Sequence, residues 1–414
     1  MVFTSLIFYI LIFFSVYVQV FLLLTFLENN KKIITRKGTM KLPEYPSVTI
    51  VVPAFNEEST VYKSVESILN LNYPKDKINI FLVDDGSTDG TWEALQKFSN
   101  YPNIKLFKKE NGGKHSALNM GLEKSGTDFF GCLDADSFVH PEALVRIMSY
   151  FETHPDAMAV VPSVNVTNAR NLIQNAQRAE YHMGVYMKKM LDFLGAINVT
   201  PGPFTIFRKK VFEDLGPYRH AHNTEDMEIA YRMQVSGYRI VHCNDAYVYT
   251  ITPATIKKLY KQRLRWMYGF INNTIDYKRV LFRKKYGNFS LFTIPMGVVS
   301  VVGVGYLFGR IAYSAGRFVY EKFIHYQAIG VDAGASVASS WDPFFFQANM
   351  SLFLVVLVYS GVIFAILFGR RMSEGRWAFS FDMLYFFILF RLIAPFWIMK
   401  AVWNTIRSRA PDWR

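Results

Sequence analysis

The chain has 414 residues, room for two or three structural units, and carries 46 Lys+Arg against 33 Asp+Glu for a formal net charge of +13. So basic a balance fits an anionic membrane or a nucleic acid, and 51% hydrophobic with 16% aromatic residues favours the membrane and sets nucleic acid aside. The 2 cysteines, Cys132 and Cys243, show neither a CxxC spacing nor a disulfide framework and read as small core residues.

Phe3 to Leu27 contains no charged residue, and about 20 apolar residues cross the hydrocarbon core of a bilayer. Residues 1–30 are therefore expected to form a transmembrane helix. A cleaved signal peptide is disfavoured by the missing basic n-region, the length of the apolar run and the absence of a small-x-small cleavage site. Residues 31–46 form a basic linker with Lys31, Lys32, Arg36, Lys37 and Lys41, and Lys278, Arg279, Arg283, Lys284 and Lys285 precede the next apolar run. By the positive-inside rule the region between them is cytoplasmic, on an integral protein of the cell membrane.

From Ser47 to Thr250 the runs SVTIVV, INIFLV, NIKLF, DFFGCL and AMAVV alternate with helical patterns. That alternation predicts βαβ units and an α/β fold with a doubly wound, mainly parallel sheet, inserted between transmembrane and interfacial helices. Such sheets bind ligands at the carboxyl ends of their strands. The first strand leads into Pro53, Ala54, Phe55, Asn56 and Glu57, the second into Asp84 and Asp85 of DDGSTD, and the fourth into Asp134 and Asp136 of DAD. One acidic turn would be ordinary loop chemistry, but three facing one crevice point to a site. Carboxylates on a short loop after a strand suit Mg2+ or Mn2+ shared with phosphate oxygens, which implies a nucleoside diphosphate.

Asn111-Gly-Gly-Lys114 opens the next helical pattern and reads equally as a turn or as an anion site. Asn223-Thr-Glu-Asp226 opens another, where Thr224 suits an N-cap and first-turn acids complement the helix dipole. A helix N-terminus would lower the Asp226 pKa and burial beside other carboxylates would raise it, so the residues alone leave its role open. Residues 171–195 are amphipathic and fit either an interfacial helix or a packed one.

KQRLRWMYGF, residues 261–270, lies in a region spanning 251–287 that is expected to be interfacial. On a helix Gln262, Arg265 and Trp266 share one face and Arg263 points elsewhere, and periodicity does not decide between lipid contact and active site. Residues 288–414 hold the uncharged runs Asn288–Gly309 and Pro343–Gly369, and a third, Met383–Met399, interrupted by Arg391 and Pro395. Gly305 and Gly309 form a GxxxG pair suited to close helix packing, and an intramembrane Arg391 is expected to line a polar route. One span before the central region and three after would put the tail outside, yet Lys400, Arg407, Arg409 and Arg414 favour the cytoplasm. The conflict is relieved if one C-terminal run does not cross fully. Residues 310–342 follow no pattern we can place.

VVPAFNEE, VDDGSTD, NGGKHSALN, LDADS, PGPFTIFR, TED and QRLRW occur here in one order. In that order and spacing they resemble the processive family 2 glycosyltransferases: hyaluronan, chitin, poly-N-acetylglucosamine and, more distantly, cellulose synthases. The resemblance covers about Ser47 to Lys285. It implies a GT-A-type fold and an inverting, metal-dependent hexosyltransferase that builds a β-linked polysaccharide from a UDP-sugar and moves it across the membrane. It further implies that Pro53–Glu57 with Asp84 and Asp85 hold uridine and ribose and that Lys114 lies near the nucleotide. Asp134 and Asp136 would then meet the diphosphate and Mg2+ or Mn2+, with Asp136 the direct ligand. Asp226, with Glu225 beside it in TED, would be the catalytic base, and Gln262, Arg265 and Trp266 would bound the acceptor site and contact the diphosphate. PGPFTIFR is closer to the hyaluronan, chitin and poly-N-acetylglucosamine branch, which points to UDP-N-acetylglucosamine. Partners implied are a glycan or lipid-linked acceptor and membrane lipids, with an accessory export subunit left open. The tail RSRAPDWR faintly resembles a gating segment with Trp and Arg. The competing readings are transfer of a single sugar to a lipid carrier and an inactive scaffold or glycan channel.

Overall fold

The computed structural model describes residues 2–33, 38, 40–329 and 350–411. Arg36 and Lys37 of the basic linker, the start of the run at Pro343, the end of the stretch 310–342 and Arg414 of the tail lie outside the described residues. The strands are β1 (Val48–Ala54), β2 (Ile78–Asp84), β3 (Ile104–Lys108), β4 (Phe129–Cys132), β5 (Ser137–Val139), β6 (Ala157–Val166), β7 (Ile206–Arg208) and β8 (Arg239–Thr250). They form an 8-stranded sheet in the order β3-β2-β1-β4-β7-β6-β8-β5.

The β3-β2-β1-β4 half is parallel, as the alternation of strand and helix predicts. β7 then runs antiparallel to both β4 and β6, β8 returns parallel to β6, and β5 closes the edge antiparallel to β8. The sheet is therefore mixed, a correction to the mainly parallel expectation. Its cause is local: the PGPFTIFR segment doubles back beside β4, where the Phe204 N–H donates to the Cys132 carbonyl at 2.8 Å. Strands as short as β5 and β7, with 3 residues each, carry no readable period.

The helices are α1 (Val2–Asn29), α2 (Val61–Leu69), α3 (Thr91–Gln96), α4 (Lys114–Lys124), α5 (Ala143–Thr153), α6 (Leu172–Phe193), α7 (Lys210–Leu215), α8 (Glu225–Val235), α9 (Ile256–Asp276), α10 (Ile294–Ile329), α11 (Met350–Glu374) and α12 (Phe381–Ile406). Strand side chains alternate faces, and the two faces of β1 and β2 feed two separate cores. Ile50, Val52, Ile80 and Leu82 pack with α2, α3 and α5. Val51, Phe81 and Val83 belong to a second core that continues through α6 and α8 to Leu22 and Phe26 of α1 and Ala365 of α11. The sheet is thus joined to the apolar helices by continuous packing.

Among the described residues 4 helical segments are long and apolar enough to cross a membrane: Leu6–Lys32, Phe289–Gln327, Met350–Glu374 and Phe381–Ile406. α12, like α11, packs on α6, and it also packs on α9. Its Met383 and Leu389 pack on Ala179 and Ala176 of α6, and its Trp397, Ile398 and Ala401 pack on Leu264 and Tyr268 of α9. Farther along, the Asn272 amide donates to the Thr405 hydroxyl at 3.0 Å. α6 and α9 therefore accompany α12 from end to end.

The GxxxG pair does not make the close contact its spacing suggests. A Cβ at Gly309 would meet nothing within 4 Å, and one at Gly305 only the Met399 sulfur at 3.6 Å. The tight approach lies at Gly369 of α11, where a Cβ would stand 1.7 Å from the His182 carbonyl oxygen of α6. Gly369→Ala is expected to force the two helices apart at about 1–3 kcal/mol or more. Its thermal midpoint in detergent should fall, while that of Gly309→Ala stays at the wild-type value.

Candidate active site

The loops at the carboxyl ends of β1 and β2 are stitched to each other. Asn56, in the left-handed region at φ 55°, donates its N–H to the Ser87 hydroxyl at 3.0 Å, and its side-chain oxygen accepts from the Thr88 N–H at 2.9 Å. The Glu57 N–H donates to the Thr91 hydroxyl at 2.8 Å. Pro53 and Phe55 are half-buried, while Ala54 closes β1 and is buried. Asp84 is fully buried; one carboxylate oxygen accepts from the Ser87 N–H at 3.1 Å and the other has no hydrogen bond. Asp85 accepts from Lys109 at 2.7 Å and from the Gly112 N–H at 3.1 Å, which fixes the NGGK loop beside the DDGSTD loop. These two aspartates pair with the loop around them and form a lobe of their own.

Next to that lobe lies the main cluster. Gly113, at φ 84°, turns the chain into α4 so that Lys114 points inward. Its ammonium meets Asp134 at 2.5 Å and Glu225 at 3.4 Å, bridging the DAD loop after β4 to the first turn of α8. Burial acts to lower the Lys114 pKa, but Asp134 and Glu225 outweigh it and hold the group well above its ordinary value. Gly202 of PGPF passes so close that a Cβ there would stand 2.3 Å from the Lys114 nitrogen and 2.7 Å from both Asp134 oxygens.

Asp136 and Asp226 share this environment. Burial, then the nearby Asp134 and Glu57 carboxylates, push Asp136 up to about 7, against the Ser137 hydroxyl bond and Lys114. Burial and Glu225 push Asp226 up to about 6, against Lys114 and Arg265. The competition left open by the residues alone is thus decided for burial over the helix N-terminus. Thr224 does not cap α8 with its side chain. Its hydroxyl instead donates to the Ala221 carbonyl at 3.0 Å and accepts from Asn273 of α9 at 2.9 Å.

α9 docks against that turn along one stripe. Arg265 donates to the Asn223 carbonyl at 2.9 Å, and a Cβ at Gly269 would collide with Thr224 at 2.3 Å. Ala221, His222 and Asn223 all have positive φ, so the segment before Glu225 is held in strained backbone, as is common where structure is fixed for function. Gln262, Arg265 and Trp266 are half-buried beside the cluster.

Arg263 is the residue the periodicity argument undervalued. It does leave the shared face, but it is buried and pairs with Glu180 of α6 at 2.5 Å, donates to the Gln262 side chain at 2.9 Å and lies 4.1 Å from the Trp266 ring centroid. It therefore orients two of the three QRLRW residues singled out by sequence. The signal was a second arginine inside the motif; its partner Glu180, 83 positions away, has no local mark. Arg391 is not in the cluster: it is exposed on α12 and donates to the Tyr359 hydroxyl of α11.

Among the described residues no three His, Cys, Asp or Glu side chains converge at metal-ligand spacing. An all-protein cage is thus absent among them, but the donor chemistry fits a hard cation of the kind that takes one or two carboxylates and completes its shell with substrate phosphates. Asp136 carries the fit: buried and crowded by Asp134 and Glu57, it makes no ion pair among the described residues, and Lys114, paired to Asp134, acts on it only in part.

Residues 49–216 match the family model described as Glycosyl transferase family 2. The chain is 30% identical over 238 residues to a poly-beta-1,6-N-acetyl-D-glucosamine synthase of Staphylococcus aureus, covering 57% of each. It is 30% identical over 224 residues to the protein of that name from Staphylococcus epidermidis, covering 54% of each. The chain thus spans somewhat over half the length of these curated relatives. Its structure is similar to that of a mannosyltransferase from Pyrobaculum calidifontis in complex with GDP-Man and Mn2+, with a TM-score of 0.53 over 85% of this chain and 99% of that one, at 17% identity, a likeness of fold.

Gly202→Ala tests the packing of the cluster. Its methyl group is expected to displace Lys114 from Asp134 and to lower the thermal midpoint in detergent, at a cost of about 1–3 kcal/mol.

Proposed function

We propose, on the match of residues 49–216 to the glycosyl transferase family 2 model, that the chain is an inverting, metal-dependent hexosyltransferase that lengthens a β-linked polysaccharide from a UDP-sugar and passes it across the membrane. Residues 47–250 would be its cytoplasmic catalytic unit and 251–287 an interfacial region. The observation that carries this reading is the burial of Asp226 beside Glu225, which raises its pKa to about 6 against the opposing pull of Lys114 and Arg265.

A carboxylate so placed is basic enough to take a proton and still ionised at neutral pH. In the proposed reaction Asp226 accepts the proton of an acceptor hydroxyl as that oxygen attacks the anomeric carbon. The bond to the diphosphate breaks on the opposite side, so the configuration inverts and no covalent enzyme intermediate forms. Lys114 and Arg265 face the charge that develops on the departing diphosphate. Bound Mg2+ or Mn2+, held by Asp136 with Asp134, would supply further neutralisation of that charge. Trp266, held under Arg263, offers an aromatic face to the acceptor, and the lobe around Asn56, Asp84 and Asp85 offers the polar groups for uridine and ribose.

The names of the Staphylococcus relatives support N-acetylglucosamine as the transferred sugar, as does the form of PGPFTIFR. The packing of α12 along α6 and α9 supports a run that stays with the catalytic unit, which would keep Lys400, Arg407 and Arg409 on the cytoplasmic side.

The decisive experiment offers the purified protein UDP-N-acetylglucosamine, UDP-glucose, UDP-glucuronate and GDP-mannose with Mg2+ or Mn2+, following nucleotide release and product length. Release of UDP with growth of a polymer is expected; a product extended by one sugar would instead identify single-sugar transfer. Asp226→Asn should retain UDP binding and lose about 10²–10⁴-fold in rate. Because protonation disables the base, wild-type kcat/KM is expected to be level above neutrality and to fall as pH drops through about 6, a limb that Asp226→Asn lacks. We assign Arg391 to the glycan route: Arg391→Leu in sealed vesicles should make polymer yet export less of it, and normal export removes the assignment.

A further inference from the structure

α6 presents one face to the cluster that has no partner among the described residues. At about 100° per residue, Tyr181, Gly184 and Lys188 fall within roughly 60° of one another around the helix. On one flank of this sector Glu180 pairs with Arg263 of α9 at 2.5 Å. On the other, Val185 is buried and the Lys189 ammonium donates to the His242 carbonyl of β8 at 2.9 Å. The sector between those flanks therefore looks into the space between α9 and the sheet, where Asp134, Asp136 and Asp226 stand.

The chemistry of the face is that of a lining. Tyr181 and Lys188 are half-buried, and neither side chain makes a hydrogen bond or ion pair among the described residues. A Cβ at Gly184 would meet nothing within 4 Å, although glycine inside a helix costs about 1 kcal/mol relative to alanine. The open space at its centre is thus flanked by one phenol and one ammonium, both hydrogen-bond donors. Lys188 feels Asp226, while Tyr181 feels Arg263, Glu180, Asp136 and Asp134.

We propose that Tyr181, Gly184 and Lys188 form the wall that receives the terminal sugar of the acceptor, with Gly184 making room for the pyranose ring and Lys188 positioning its hydroxyls beside Asp226. The ligand class is a neutral, hydroxyl-rich hexose: the face supplies donors and no carboxylate, and Lys114 and Arg265 already serve the diphosphate. Lys188 is a positioning residue. This rests on Asp226 being the base of the proposed transfer.

The test uses the full-length protein in nanodiscs with UDP-N-acetylglucosamine as donor and a β-linked N-acetylglucosamine trisaccharide as primer. Tyr181→Phe and Lys188→Met are expected to raise the primer KM about fivefold or more while leaving the donor KM within about twofold. Lys188→Arg should recover part of the loss, and Gly184→Leu should block the primer while still binding UDP. Since Tyr181→Phe removes a single oxygen, misfolding is not an escape. Unchanged primer KM in both Tyr181→Phe and Lys188→Met overturns the proposal, and so does a matching rise in donor KM, which would move the face to the donor site. A wild-type protein that releases no nucleotide from any of the four donors overturns the transferase reading as well, before any variant is compared.

Discussion

The bridge from Lys114 to Asp134 and Glu225 is the contact on which the site depends. It joins three segments far apart in sequence: the start of α4, the turn after β4 and the start of α8. Partly buried charges of this kind contribute little net stability, because desolvation offsets their attraction, whereas removing one partner strands the other. Their effect here is positional. Burial and the neighbouring carboxylates raise Asp136 and Asp226 by more than Lys114, engaged by Asp134 and Glu225, lowers them.

Around the bridge, backbone is held where side chains usually avoid. Asn56, Phe204 and the run Ala221–Asn223 all have positive φ, and each adjoins a loop of the site. Such conformations persist when neighbours over-determine them. Here Ser87 and Thr88 bind Asn56, the Cys132 carbonyl receives Phe204, and Arg265 with Asn273 grips the turn before Asp226. The loops are therefore as fixed as the sheet that carries them.

Continuous packing extends from the sheet to the long apolar helices. One face of the sheet packs into a core that reaches α1 and α11 without a break. α6 and α9 lie between that core and α12, and the Glu180–Arg263 pair links them to each other. A sugar site built between α6 and α9 would stand directly over the apolar helices, which is the arrangement a growing chain needs if synthesis is to feed export.

The strands of the parallel half, the long apolar helices and the acidic loops were legible from sequence, because strand-helix alternation, run length and turn chemistry are local properties. So was the candidacy of Asp134, Asp136, Asp226, Lys114 and the QRLRW residues. What only the folded chain decided depends on contacts between distant segments. The 3-residue strand β7 reversed part of the sheet, Gly309 proved open where Gly369 was tight, and the pKa of Asp226 rose because burial beside Glu225 outweighed its helix terminus. Arg263 found its role through Glu180, and Tyr181 and Lys188 through the direction in which α6 was turned. Desolvation and charge proximity are set by which side chains meet across the fold, and no periodicity in one segment encodes that meeting.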